Sequence, residues 1–212
     1  MKPETLVLIS GPPGSGKTTC LREALALLVK RGYSVRACLS EATARVAPAD
    51  GPLALGFDLV LLETQAGGLT ETGRFPLARR DPPIPGPGPL RKRMQAFAFD
   101  FSAFSRAVSF LRGPVPEILA LDEVGPLELN EHGGFMPFLL ELAAGDDLSR
   151  PDCLLMTVRP NLLDELAGEC SRLFEAARVE CVVLGENDEE CIMTAAKRIA
   201  DFVSETEDGY HG

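Results

Sequence analysis

Gly11-Pro12-Pro13-Gly14-Ser15-Gly16-Lys17-Thr18 follows directly on the apolar run Leu6-Val7-Leu8-Ile9. The octapeptide fits G-x-x-x-x-G-K-[ST], and its flanks supply the context this pattern requires: a strand, a glycine-rich turn, then a helix. Gly11, Gly14 and Gly16 permit backbone angles that a side chain forbids, so successive N–H groups can converge on one anion. Lys17 adds a cation for the β- and γ-phosphates of a nucleoside triphosphate, and the Thr18 hydroxyl is placed to ligate Mg²⁺. The helix opening at Lys17 turns its positive dipole end to the same spot. This reading assigns nucleotide contacts to Gly11, Pro12, Pro13, Gly14, Ser15, Gly16, Lys17, Thr18 and Thr19, with ATP or GTP as substrate and Mg²⁺ as cofactor.

Outward from this loop, Thr5 to Ser10 reads as a buried central strand, since Leu6 to Ile9 within it is continuously apolar. Leu21, Ala24, Leu25 and Leu28 repeat at helical spacing as far as Lys30, with Gly32 as the stop. Ser34 to Leu39 reads as a second strand and Ser40 to Pro52 as loop. Phe57 to Glu63 and Gly73 to Ala78 read as a hairpin turning around Gly67-Gly68. Asp81 to Pro89 carries five prolines in nine residues, too many for a helix or a central strand, and Arg79-Arg80 and Arg91-Lys92-Arg93 border it. A strand over Gln95 to Phe99 and a helical stripe of Phe101, Phe104, Val108 and Leu111 follow. Glu117 to Leu121, Leu154 to Val158 and Arg178 to Leu184 are further strands. Phe135 to Ala144, Asn161 to Ala167 and Asp188 to Val203 are helices, the last opening on a capping box of Asn187 and Glu190. Such alternation predicts an α/β domain of three layers, with a mostly parallel central sheet and a β-hairpin insertion. The expected organisation is one domain over residues 1–204, with the insertion at about 53–93 and a polar tail at 205–212.

The net charge of −10 disfavours nucleic acid as a partner, because phosphate backbones need a positive face. Six scattered cysteines lie mostly in apolar stretches without C-x-x-C pairs, which points to buried free thiols in a reducing compartment. No secretory signal and no membrane-length apolar run stand out, so the expectation is a cytoplasmic protein without a membrane partner.

Ile118-Leu119-Ala120-Leu121-Asp122-Glu123 lies about a hundred residues beyond the glycine-rich loop. An apolar strand ending in aspartate sets that carboxylate at the sheet's carboxyl edge, beside the first strand's loop. There Asp122 can hold Mg²⁺, while Glu123 can orient or deprotonate an attacking water. Lys17 and Arg159, the latter at the end of the strand Leu154 to Val158, are the candidates to neutralise charge on the phosphoryl oxygens. Thr157 is placed on the same strand to hydrogen-bond the γ-phosphate or the water.

The block Asp122-Glu123-Val124-Gly125-Pro126-Leu127-Glu128-Leu129 resembles the D-E-[IV]-G-x-[ML]-E-L signature of the small cancer-related nucleoside-triphosphatase group. Leu39-Ser40-Glu41, Gly56-Phe57-Asp58-Leu59-Val60, Met156-Thr157-Val158 and Leu184-Gly185-Glu186-Asn187 resemble further segments of that family in the same order. The resemblance implies a P-loop NTPase of RecA-like type, in which an extra strand separates the two motif strands. It also implies slow, Mg²⁺-dependent hydrolysis of several nucleoside triphosphates to diphosphate and phosphate. Ser40-Glu41-Ala42 keeps one of the two carboxylates of the family's T-E-E segment, and Arg159 precedes the proline that many members carry directly after the strand. A small-molecule or nucleotide kinase, and a slow nucleotide-dependent switch acting through a protein partner, stay open as alternatives.

Overall fold

A computed structural model describes residues 3–43, 45–46, 53–80, 91–94, 97–145, 150–174, 178–185 and 188–208. The apolar run before the glycine-rich loop is β1 (Thr5–Ser10), and the loop leads into α1 (Lys17–Lys30). Then come β2 (Val35–Ala42), two short strands β3 (Arg45–Val46) and β4 (Leu53–Ala54), and the long hairpin β5 (Gly56–Gln65) and β6 (Gly68–Arg80). The middle of the chain supplies β7 (Arg91–Met94), β8 (Phe97–Asp100), α2 (Ser102–Leu111) and β9 (Ile118–Val124). After these follow α3 (Pro126–Leu129), α4 (Met136–Ala144), β10 (Cys153–Val158), α5 (Leu163–Leu173), β11 (Arg178–Val183) and α6 (Glu189–Asp208).

The main sheet has nine strands in the order β11-β1-β10-β9-β2-β5-β6-β8-β7. Its first five strands pair in parallel, and every pairing from β2–β5 outward is antiparallel. The insertion is therefore larger than a hairpin, since β7 and β8 prolong the same sheet. β10 lies between β1 and β9, the separation that the family resemblance implies and that strand-by-strand reading does not reveal.

Alternation along the central strands builds two cores. Leu6 and Leu8 of β1 join Leu119 and Leu121 of β9 under α2, α4 and α5 on one face. Val7 and Ile9 join Ile118 and Ala120 under α1 and α6 on the other. Strands apolar on both sides thus become the middle of three layers. Phe104 and Leu111 of the phenylalanine stripe are buried in the first core. No helix among the described residues is long and apolar enough to cross a membrane. Cys20, Cys38, Cys153 and Cys170 are buried and free, whereas Cys181 and Cys191 are free and exposed.

Several boundaries differ from the sequence reading for identifiable reasons. The hairpin turns on Ala66 and Gly67, both at positive φ (49° and 77°), and Gly68 already pairs with Gln65. That is the two-residue turn whose twist matches its strands. β9 runs through the acidic pair to Val124, because a bulge accommodates it. A 3-10 turn at Pro160–Leu162 precedes α5, which extends to Leu173. The cap of α6 falls on Asp188, whose carboxylate accepts the Cys191 N–H (3.0 Å), and the helix continues to Asp208 into the expected tail. Asn187, Gln95 and the proline-rich stretch 81–90 lie outside the described residues.

Candidate active site

The glycine-rich loop leaves β1 buried on both faces, so its position is set by the sheet's interior. Gly14 and Gly16 take φ of 84° and 87°, the left-handed region that favours glycine. Gly11 is required for a different reason. A Cβ there would overlap Ser15 Oγ and approach the Leu184 carbonyl oxygen to 2.9 Å, so the loop is packed against the end of β11. Nothing lies within 4 Å of a Cβ at Gly14, which leaves that side of the turn open. The Ser15 N–H donates to Pro12 O (3.1 Å), closing the turn, and the Cys20 N–H donates to Gly16 O (2.8 Å) as α1 begins. The earlier N–H groups of a helix have no intrahelical acceptor and face the loop. Thr19 sits in this first turn with its side chain exposed.

Lys17 is 4% exposed, and its ammonium donates to Gly11 O (2.8 Å) and Pro12 O (3.1 Å). The cation is thus held at the loop by carbonyls alone, and its nearest carboxylate is Glu123, with Oε1 at 3.9 Å. Arg159 Nε stands 3.9 Å from the other oxygen, Oε2. The sequence-derived catalytic residues Lys17, Glu123 and Arg159 therefore meet at one place, with the carboxylate between the two cations.

Asp122 is 1% exposed. Its Oδ2 accepts the Thr18 hydroxyl (2.8 Å) and the Ser40 N–H (3.0 Å), and its Oδ1 accepts the Thr157 hydroxyl and the Glu123 N–H (3.1 Å). Burial pushes its pKa up to about 6, aided by the neighbouring Glu123 charge and opposed by the donors from Thr157, Ser40 and Thr18. Thr18 and Asp122 together offer two hard oxygens at hydrogen-bond separation. This fits Mg²⁺, which takes one or two protein oxygens beside substrate phosphates rather than an all-protein cage. Among the described residues no group of three or more His, Cys, Asp or Glu could hold a metal ion.

Glu123 owes its direction to the bulge. Leu121 pairs with Met156 and Val124 with Val158, so Asp122 and Glu123 together oppose Thr157 alone. Regular alternation would turn residue 123 on to the same face as Leu121. Val124 takes that place in the core instead, and Glu123, at φ 58°, is released to the sheet's edge with its side chain 37% exposed.

The structure gives three residues contacts that the sequence reading did not assign to them. Ser40 acts through its backbone N–H, which no side-chain pattern reports. Thr157 is fully buried, and its hydroxyl is engaged by Asp122 and by the Glu123 N–H (2.7 Å) rather than turned to a phosphate. Glu128 is 2% exposed and accepts the Gly125 N–H (2.9 Å) and the Phe135 N–H (3.1 Å), tying down the loop after β9. Its signal was present: Gly-Pro followed by glutamate at the third helical position is a helix-start pattern. Burial raises the Glu128 pKa to about 7 against those two donors. Glu41, from the segment resembling T-E-E, pairs with Arg22 of α1 and with Arg74 of β6 (2.9 Å).

The sequence profile of the NTPase family matches residues 6–144. The human cancer-related nucleoside-triphosphatase is 29% identical over 161 residues, covering 73% of this chain and 74% of the relative. Its homolog in Bos taurus is 32% identical over 130 residues, and the match spans 58% of this chain and 61% of the bovine one. The crystal structure of THEP1 from the hyperthermophile Aquifex aeolicus superposes with a TM-score of 0.52, over 90% of this chain and 95% of that one. At 16% identity that likeness speaks for the fold alone.

Proposed function

This chain belongs to the NTPase family, and from that premise we propose that it is a Mg²⁺-dependent phosphohydrolase converting nucleoside triphosphate to diphosphate and phosphate. One observation carries the reading: Lys17, Thr18, Asp122 and Glu123 meet at one sheet edge although they come from segments far apart in the chain.

In the proposed mechanism the loop from Gly11 to Thr18 binds the phosphates through its N–H groups, and Lys17 exchanges its loop carbonyls for phosphate oxygens. Thr18 and Asp122 would hold Mg²⁺, which would neutralise charge on the phosphate oxygens. Glu123 accepts a proton from a water whose oxygen bonds to the γ-phosphorus, while the bond from that phosphorus to the β–γ bridging oxygen breaks and the diphosphate leaves. Arg159, with its Nε 3.9 Å from Glu123 Oε2, meets the growing charge on the γ-oxygens in this mechanism. A kinase would use such a carboxylate on the hydroxyl of a bound acceptor, whereas a partly exposed Glu123 beside Lys17 is open to solvent water, which favours hydrolysis.

The test is a phosphate-release screen over the common nucleoside triphosphates, with Mg²⁺ and with a chelator, each with and without added acceptors. Mg²⁺-dependent release without an acceptor is expected. Triphosphate consumption that occurs only with an acceptor and frees no phosphate would overturn the reading.

A further inference from the structure

Thr157 occupies the point of β10 directly opposite the bulge in β9. A bulge leaves its extra residue without a place in the ladder of backbone hydrogen bonds. Here the Glu123 N–H is shared between the Thr157 hydroxyl oxygen, the nearer acceptor at 2.7 Å, and Asp122 Oδ1 at 3.1 Å. The same hydroxyl spends its single proton on Asp122 Oδ1. Being fully buried and with that proton committed, it has no donor left for a phosphate or a water. One oxygen thus grips both acidic residues at once, the first by its side chain and the second by its backbone. The backbone of Glu123 also sits in the left-handed region (φ 58°), a conformation that a side chain-bearing residue keeps only when its surroundings impose it.

We infer that Thr157 is the positioning residue of this site: its hydroxyl pins the Asp122–Glu123 bulge and so aims the Glu123 carboxylate between Lys17 and Arg159. Without the pin, β9 can return to regular alternation, which turns residue 123 away from the loop. The kinetic consequence rests on the hydrolase reading above; the pinning itself does not.

Thr157→Val keeps the shape of the side chain in an apolar strand and removes only the hydroxyl, while Thr157→Ser restores it. Three measurements on the full chain separate the outcomes: steady-state phosphate release, ADP binding by calorimetry, and amide hydrogen exchange at Glu123 by NMR. In the valine variant the Glu123 amide should exchange faster while the β1 amides keep wild-type protection. Its kcat should fall about 100-fold, as expected when a reacting group is misplaced by an ångström, with KM and ADP affinity within about twofold of wild type. Serine should recover both kcat and amide protection. Wild-type exchange and turnover in the valine variant would overturn the inference, as would a loss that serine does not repair or that ADP affinity shares equally. If the wild-type chain releases no phosphate from any triphosphate, the hydrolase reading fails. The pin is then judged by exchange alone: a fast Glu123 amide with valine and a slow one with serine upholds it, and equal rates refute it.

Discussion

Two carboxylates in one short segment are driven to different tasks by their surroundings. Glu123 keeps a partly exposed side chain between two cations, and the proposed mechanism has it take a proton from water. Glu123→Gln preserves shape but not basicity, so nucleotide should still bind while kcat falls by about 10²- to 10⁴-fold. Turnover near the wild-type rate would remove this residue from the mechanism. Glu128, five positions on, faces two backbone donors inside the protein, and its pKa rises from 4.5 to about 7. A carboxyl whose pKa is higher folded than unfolded supports the fold in its protonated form. That support is complete below pH 4.5 and is lost as pH rises through about 7. Glu128→Gln removes the ionisation, so wild type should lose stability relative to the variant between about pH 5 and about pH 8, by a few kcal/mol at most. Urea unfolding at the two pH values reads the difference, and parallel behaviour of the two proteins would refute it.

At the scale of elements, the loop between β1 and α1 depends on contact with a strand remote in sequence. Gly11 abuts the Leu184 carbonyl just beyond β11, so the turn and the edge strand hold one another in place. Gly11→Ala should destabilise the fold by about 1–3 kcal/mol through overpacking and lower nucleotide affinity along with it. Gly14→Ala makes the contrasting control: no atom opposes its Cβ, and its cost comes from a φ of 84° alone. Thermal unfolding and ADP titration of the pair check the distinction, and identical behaviour would show that crowding at Gly11 is immaterial. The bulge in β9 is the second such element. It converts a strand that should show Glu123 to the core into one that delivers two adjacent carboxylates to the same edge.

For the molecule as a whole, the site joins parts that only the folded sheet brings together, so a ligand there should stabilise the entire domain. Binding to the native state alone contributes about 2.7 kcal/mol at a hundredfold excess over Kd. ADP with Mg²⁺ should therefore raise the thermal midpoint of wild type. Lys17→Ala, which loses the buried cation of the loop, should show no shift and no phosphate release. A full thermal shift in that variant would place nucleotide elsewhere. The ion pairs of Glu41 with Arg22 and Arg74 tie α1 to the antiparallel half of the sheet, so the insertion is braced against the helix that carries Thr18.

By itself the sequence determined the local facts: the octapeptide loop, the apolar strand ending in two acids, and the three-layer alternation. Each is written in the backbone demands and side-chain periodicity of a short segment, where neighbours along the chain decide the outcome. Tertiary structure alone decided that Thr157 serves the acidic pair, that Ser40 lends a backbone donor to Asp122, and that Gly11 answers to space rather than to torsion; the place of β10 between the two motif strands came from the family resemblance and not from any one segment. Those are relations across the sheet. A buried hydrogen bond is specified by which strands become neighbours and in what register, and a bulge shifts that register by one residue without leaving a mark in composition or spacing.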